Sequence, residues 1–143
     1  MKPLKIKNFI PGIAWFFVVL TLVTLPGEDI PQPSGWFEWV NLIQFDKIVH
    51  IGIFCLLSFL FIRPIARSSS FSPKEKWSYF LKISLAVCIW GLTTELIQKF
   101  YIPTRSFDLV DWTADSIGAL ASLLFSRKVF AKYIKKDNTN LEM

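Results

Sequence analysis

The chain has 143 residues, of which 52% are hydrophobic and 16% aromatic, and it carries a formal net charge of +5. That length fits a single domain, residues 1–143, and so high an apolar and aromatic content argues against an ordinary soluble globule and for a membrane protein. The basic excess does not imply a nucleic-acid partner, because its residues are sorted by membrane side.

In chain order, the first apolar run is Phe9 to Leu25, preceded by Lys2, Lys5 and Lys7. A basic start before an apolar core also describes a signal peptide. This run, however, ends in Leu25-Pro26-Gly27-Glu28-Asp29 with no small-x-small cleavage site, so an uncleaved first span is expected. From Pro26 to Phe45, the turn formers Pro26, Gly27, Pro31, Pro33 and Gly35 predict an outer loop. Trp36, Phe37 and Trp39 suit the headgroup level, where they would anchor a surface segment or cover a substrate as a lid.

A second run, Ile48 to Ile62, extends back to Asp46. The connection from Arg63 to Lys76 holds Ser68-Ser69-Ser70 and Pro73 and reads as a solvated loop without a phosphate-binding motif. The third run is Trp77 to about Phe100 and the fourth Leu109 to Phe130. A spanning helix needs roughly 20 mostly apolar residues, and nothing here alternates as barrel strands do. The expected fold is therefore all-α, a polytopic membrane bundle of four transmembrane helices. Cys55 and Cys88 fall near mid-span, which favours packing roles over a disulfide.

Charge then orients the bundle. Arg63, Arg67, Lys74, Lys76 and Lys82 lie around the second connection, and Arg127, Lys128, Lys132, Lys135 and Lys136 in a basic tail over residues 127–143, on the side of the N-terminal lysines. Glu28, Asp29, Glu38 and Asp46 fall on the other side, with Lys47, Lys99 and Arg105 as its cations. The positive-inside rule predicts an inner (cytoplasmic) membrane protein with both termini cytoplasmic and the lipid bilayer as its constant partner.

Between the third and fourth runs, Thr94 to Gly118 concentrates polar residues. Ionisable groups at membrane depth are costly and need partners, so function is sought there first. Asp108, Asp111 and Asp115 are spaced i, i+3, i+7 and share a helical face, as do Glu95 and Gln98 at i, i+3, with Arg105 in the loop between them. Asp46 and His50 share a face at the outer end of the second span. Ser84, Cys88, Gly91, Glu95 and Gln98 form one stripe, and Asp111, Asp115, Gly118 and Ser122 another. Ala114, Gly118 and Ser122 give a small-xxx-small series suited to close helix packing.

These residues support two readings. In the structural one, Asp108 caps the fourth helix, Asp111 complements its dipole, and Arg105 pairs with one of them or with Glu95. In the functional one, His50 carries protons with Asp46 orienting it, and Glu95 or Asp111 is the second acid or base. Lys47 and Arg105 would hold an anionic group, with Gln98, Asp108 and Asp115 completing the ligand site. No dedicated metal-ligand spacing occurs and no cofactor is expected.

The combination Asp46-Lys47-x-x-His50, Glu95-x-x-Gln98 and Arg105-x-x-Asp108-x-x-Asp111 leading to Gly118 resembles the VanZ-like family of small bacterial membrane proteins over about residues 46–122. Asp115 departs from the pattern, which commonly has Asn there. The family is named for a factor associated with low-level resistance to the glycopeptide teicoplanin. The resemblance implies a membrane fold and a cell-envelope setting and assigns no reaction; a lipid-linked envelope precursor is a candidate partner. Three function classes follow: an envelope protein that binds a lipid-linked or headgroup ligand and acts on it, a non-enzymatic binding or shielding module, and a proton-coupled transporter. The confinement of ionisable groups to the outer side argues against the third.

Overall fold

A computed structural model describes residues 3–25, 45–103 and 105–141, with side chains described for 3–25, 46–103 and 105–131. The loop expected between Pro26 and Phe45, with Trp36, Phe37 and Trp39, lies outside the described residues except for Phe45. Among those described, a 3-10 turn at Ile6–Phe9 is followed by four α-helices and no strand: α1 (Ile10–Thr24), α2 (Phe45–Arg67), α3 (Pro73–Tyr101) and α4 (Leu109–Leu141).

Local chemistry accounts for the boundaries. In α1, Pro11 lies in the first turn, where its missing N–H removes no helical bond. Ser72 and Glu75 form a capping box at the start of α3: the Ser72 N–H donates to Glu75 Oε2 (2.7 Å), and the Glu75 N–H donates to Ser72 Oγ (3.4 Å). α3 ends where Ile102 turns extended (φ −114°, ψ 102°), as expected of a residue preceding a proline, here Pro103. The 3-10 turn and α1 together, α2 and α3 are long and apolar enough to cross a membrane, which marks the chain as a membrane protein. α4 is not among these candidates, because Asp111 and Asp115 interrupt its first turns and basic residues begin at Arg127. The segment expected as a basic tail continues this helix to Leu141, consistent with the helix propensity of its lysines and alanine. α2 likewise runs through Pro64 to Arg67, past the expected end at Ile62.

The helices run up and down. α2 packs most extensively on α4, α3 lies against both, and α1 touches α2 and α3. Gly118 makes the α2–α4 approach possible, since a Cβ there would collide with the Ile51 carbonyl oxygen. The backbones therefore meet at a small residue, as in close membrane-helix crossings. Below this point Ser122 Oγ of α4 lies 2.6 Å from Ser58 Oγ of α2, which lies 3.0 Å from Ser84 Oγ of α3. All three hydroxyls are buried, and one small network ties three helices together. Two indoles also bond across helices: Trp15 Nε1–H to the Ile53 carbonyl and Trp112 Nε1–H to the Cys88 carbonyl, each at 3.1 Å.

Apolar contacts fill the interior in two clusters. One gathers Val19, Val23, Phe54, Leu57, Val87 and Ala119; the other gathers Ile62, Ile65, Ala66, Phe80 and Phe130 nearer the α2–α3 turn. Outward, Ile89, Leu85, Leu120 and Leu124 are exposed. Apolar side chains facing out over a bundle that buries serines and carboxylates reverse the soluble pattern and fit a lipid surround.

Candidate functional site

The N-terminal ends of α2 and α4 and the C-terminal part of α3 meet at one end of the bundle, and most of the sequence-predicted site residues assemble there. α2 supplies Asp46, Lys47 and His50, each on its first two turns. α3 supplies Glu95 and Gln98, both buried on the stripe that also contains buried Ser84 and Gly91. α4 begins after Asp108, whose carboxylate Oδ1 accepts the Val110 N–H at 2.7 Å while its carbonyl accepts the Trp112 N–H at 3.2 Å. This is the N-cap role expected from its position. The Val110 N–H also holds the Asp108 carboxyl below the usual carboxylate range. One and two turns further, Asp111 and Asp115 point back into the bundle.

Lys47 is the central cation. Its ammonium lies 2.9 Å from Asp46 Oδ2 and 3.3 Å from Asp108 Oδ2, and it pairs with Asp111 Oδ1 as well. Sequence reasoning gave that pairing role to Arg105, but no ion pair among the described residues includes Arg105. Its backbone N–H donates to the Ile102 carbonyl (3.0 Å) within the α3–α4 loop. Lys47 takes the role because α2 enters beside the start of α4, a relative placement that spacing along one helix cannot reveal.

His50 also differs in its partner. Its Nδ1 lies 2.9 Å from Asp115 Oδ1 across the α2–α4 interface, while Asp46, expected to orient it, turns onto Lys47. The contrast in exposure is large: the Asp46 and Asp108 side chains are 60% and 43% exposed, whereas those of Asp111 and Asp115 are 16% and 0% exposed. Asp46 and Asp108 thus form a wet rim, and Asp111, Asp115 and buried Glu95 a floor.

The remaining polar residues brace this arrangement. Glu95 Oε2 accepts the Asp108 N–H at 2.8 Å and so closes the α3–α4 loop. Gln98 Nε2–H donates to the Val23 carbonyl at 3.3 Å, satisfying an acceptor that the end of α1 leaves open. Trp112, not singled out from the sequence, braces α4 on α3 through its bond to Cys88. The available signal was an indole N–H in apolar sequence, which needs an acceptor.

Chemically, the floor offers carboxylates, one imidazole and one ammonium in a water-poor setting, a set suited to proton transfer and to holding a polar group. Among the described residues, no group of three or more His, Cys, Asp or Glu side chains is arranged to hold a metal ion. The chain matches no family model, no curated protein and no solved structure.

Proposed function

We propose that the chain is a four-span inner-membrane protein of the VanZ-like kind, with both termini cytoplasmic. Its outward polar site binds the headgroup of a lipid or lipid-linked envelope ligand and moves a proton on it. The observation that carries this reading is the gathering of Lys47, His50, Glu95, Asp111 and Asp115 from three helices onto one spot. Ionisable groups at that depth are expensive to keep and mark ligand or proton sites. The basic connection between α2 and α3 and the basic end of α4 support the orientation.

In this mechanism Asp115 holds the Nδ1 face of His50, so Nε2 is the atom that takes or gives a proton. Lys47, held by three carboxylates, sets the shape of the site. Arg105 is then the cation for an anionic group of the ligand, such as a phosphate, to which a guanidinium can bind in bidentate fashion. The cellular consequence proposed is tolerance of a glycopeptide, teicoplanin, that acts on envelope precursors.

The experiment is teicoplanin susceptibility of cells producing the parent or His50→Gln. The parent should raise tolerance over an empty vector, and His50→Gln, present in the membrane at the parental level, should lose that gain. Full protection by His50→Gln would replace proton transfer with a non-enzymatic binding or shielding role.

A further inference from the structure

The floor of the site is short of positive charge. Glu95, Asp111 and Asp115 are the carboxylates withdrawn from water, and the cations among them are Lys47 and, when protonated, His50. Lys47 is shared further with Asp46 and Asp108 at the rim. With all three ionised, carboxylates outnumber cations here even when His50 is charged, and an uncompensated charge in this setting is costly.

A second observation concerns a single atom. Asp115 is fully buried; its Oδ1 meets His50, but Oδ2 has no hydrogen-bond partner. That oxygen packs against α3 at Gly91, where an added Cβ would lie 3.1 Å from it, 2.9 Å from Asp115 Cβ and 3.3 Å from Phe54 Cε1. Glu95 follows one turn further toward the rim on the same buried face of α3. Buried polar atoms in proteins are nearly always satisfied, and an orphaned carboxylate oxygen calls for a donor.

We infer that this floor seats a primary ammonium group, the amino end of the headgroup that the reading above assigns to the site, on which this inference rests. An ammonium supplies both items missing from the floor: a positive charge and N–H donors directed at Asp115 Oδ2 and Glu95. A quaternary ammonium has no N–H to offer and is recognised instead by aromatic faces. With Arg105 on a phosphate and the floor on an amine, the site fits a zwitterionic phosphate–amine headgroup.

The test uses the full chain in phosphatidylcholine nanodiscs, with thermal unfolding followed during titration by ethanolamine, choline, sodium or inorganic phosphate at matched ionic strength. Ethanolamine should raise the melting temperature saturably while choline and sodium do not, because only a ligand that prefers the folded state shifts the transition. Asp115→Asn should weaken the apparent ethanolamine affinity by about tenfold or more, the loss of one charge-assisted bond. If that variant does not fold, the contrast between ethanolamine, choline and sodium in the parent decides alone. Nanodiscs containing phosphatidylethanolamine separate the sources: protection there without protection by free ethanolamine assigns the amine to a lipid, and protection by both makes the free amine sufficient. Equal protection by sodium or choline overturns the ammonium assignment. A response to phosphate but to neither amine source also overturns it and leaves headgroup binding standing, whereas no response to any probe removes both.

Discussion

Asp108 has one carboxylate oxygen on the Val110 N–H and the other on the Lys47 ammonium, so a single residue starts α4 and ties it to α2. Removing the cap in Asp108→Ala should cost about 1 kcal/mol near neutral pH, read as a lower melting temperature. The folded protein holds this carboxyl below its usual pKa, so its stabilising contribution is present above the unfolded carboxylate pKa and fades as pH falls through the folded value. The gap between parent and Asp108→Ala should therefore narrow in melts taken from pH 7 down to about pH 3. A gap that stays constant would assign the effect to shape alone. At this scale the sequence revealed which residues were polar and costly, but not their partners. Spacing suggested Asp46 for His50 because both lie on one helix, whereas Asp115 reaches His50 from α4. The rotation of one helix about its axis relative to another has no signature in the spacing of either.

Helix faces, in contrast, were readable. The stripe Ser84, Gly91, Glu95 and Gln98 is buried on α3, and Asp115, Gly118 and Ser122 are buried on α4, because a 3.6-residue period fixes which side chains travel together. Element ends were less readable: α2 passes Pro64 although proline there forfeits a helical hydrogen bond, a loss that membrane helices tolerate, and α4 passes Phe130 because a basic extension forms helix readily. The small-residue series proved decisive at Gly118, where the obstacle to a side chain is backbone and cannot rotate away. Gly118→Ala should cost about 3 kcal/mol, the upper part of the usual overpacking range, and separate α2 from α4. Gly52→Ala is the control, because nothing lies within 4 Å of an added Cβ there and it should be tolerated. Equal melting temperatures for the two variants would contradict the close α2–α4 approach.

For the whole molecule, the proposed four-span arrangement makes a prediction about sidedness. In a background with Cys55 and Cys88 replaced, a membrane-impermeant maleimide should label Ser106→Cys in intact cells, and Ser69→Cys and Lys128→Cys only after lysis. All three positions are exposed in the fold. Labelling of Lys128→Cys in intact cells would mean that α4 does not cross. Charge asymmetry made this topology expected from the sequence, while the packing order, with α2 and α4 as the principal pair, emerged only from the fold.

The meeting of Gly118 with the Ile51 carbonyl has a mechanical consequence for the same pair of helices. Two rods touching backbone to backbone can rock only about the place where they touch. Asp115 lies three residues from that fulcrum, about 4.5 Å along the axis, and Phe130 twelve residues, about 18 Å. A given tilt of α2 against α4 therefore moves the far ends roughly four times as much as the grip of Asp115 on His50. A rocking of α2 on α4 would therefore displace the end at Phe130 while leaving the spacing of Asp115 and His50 nearly unchanged.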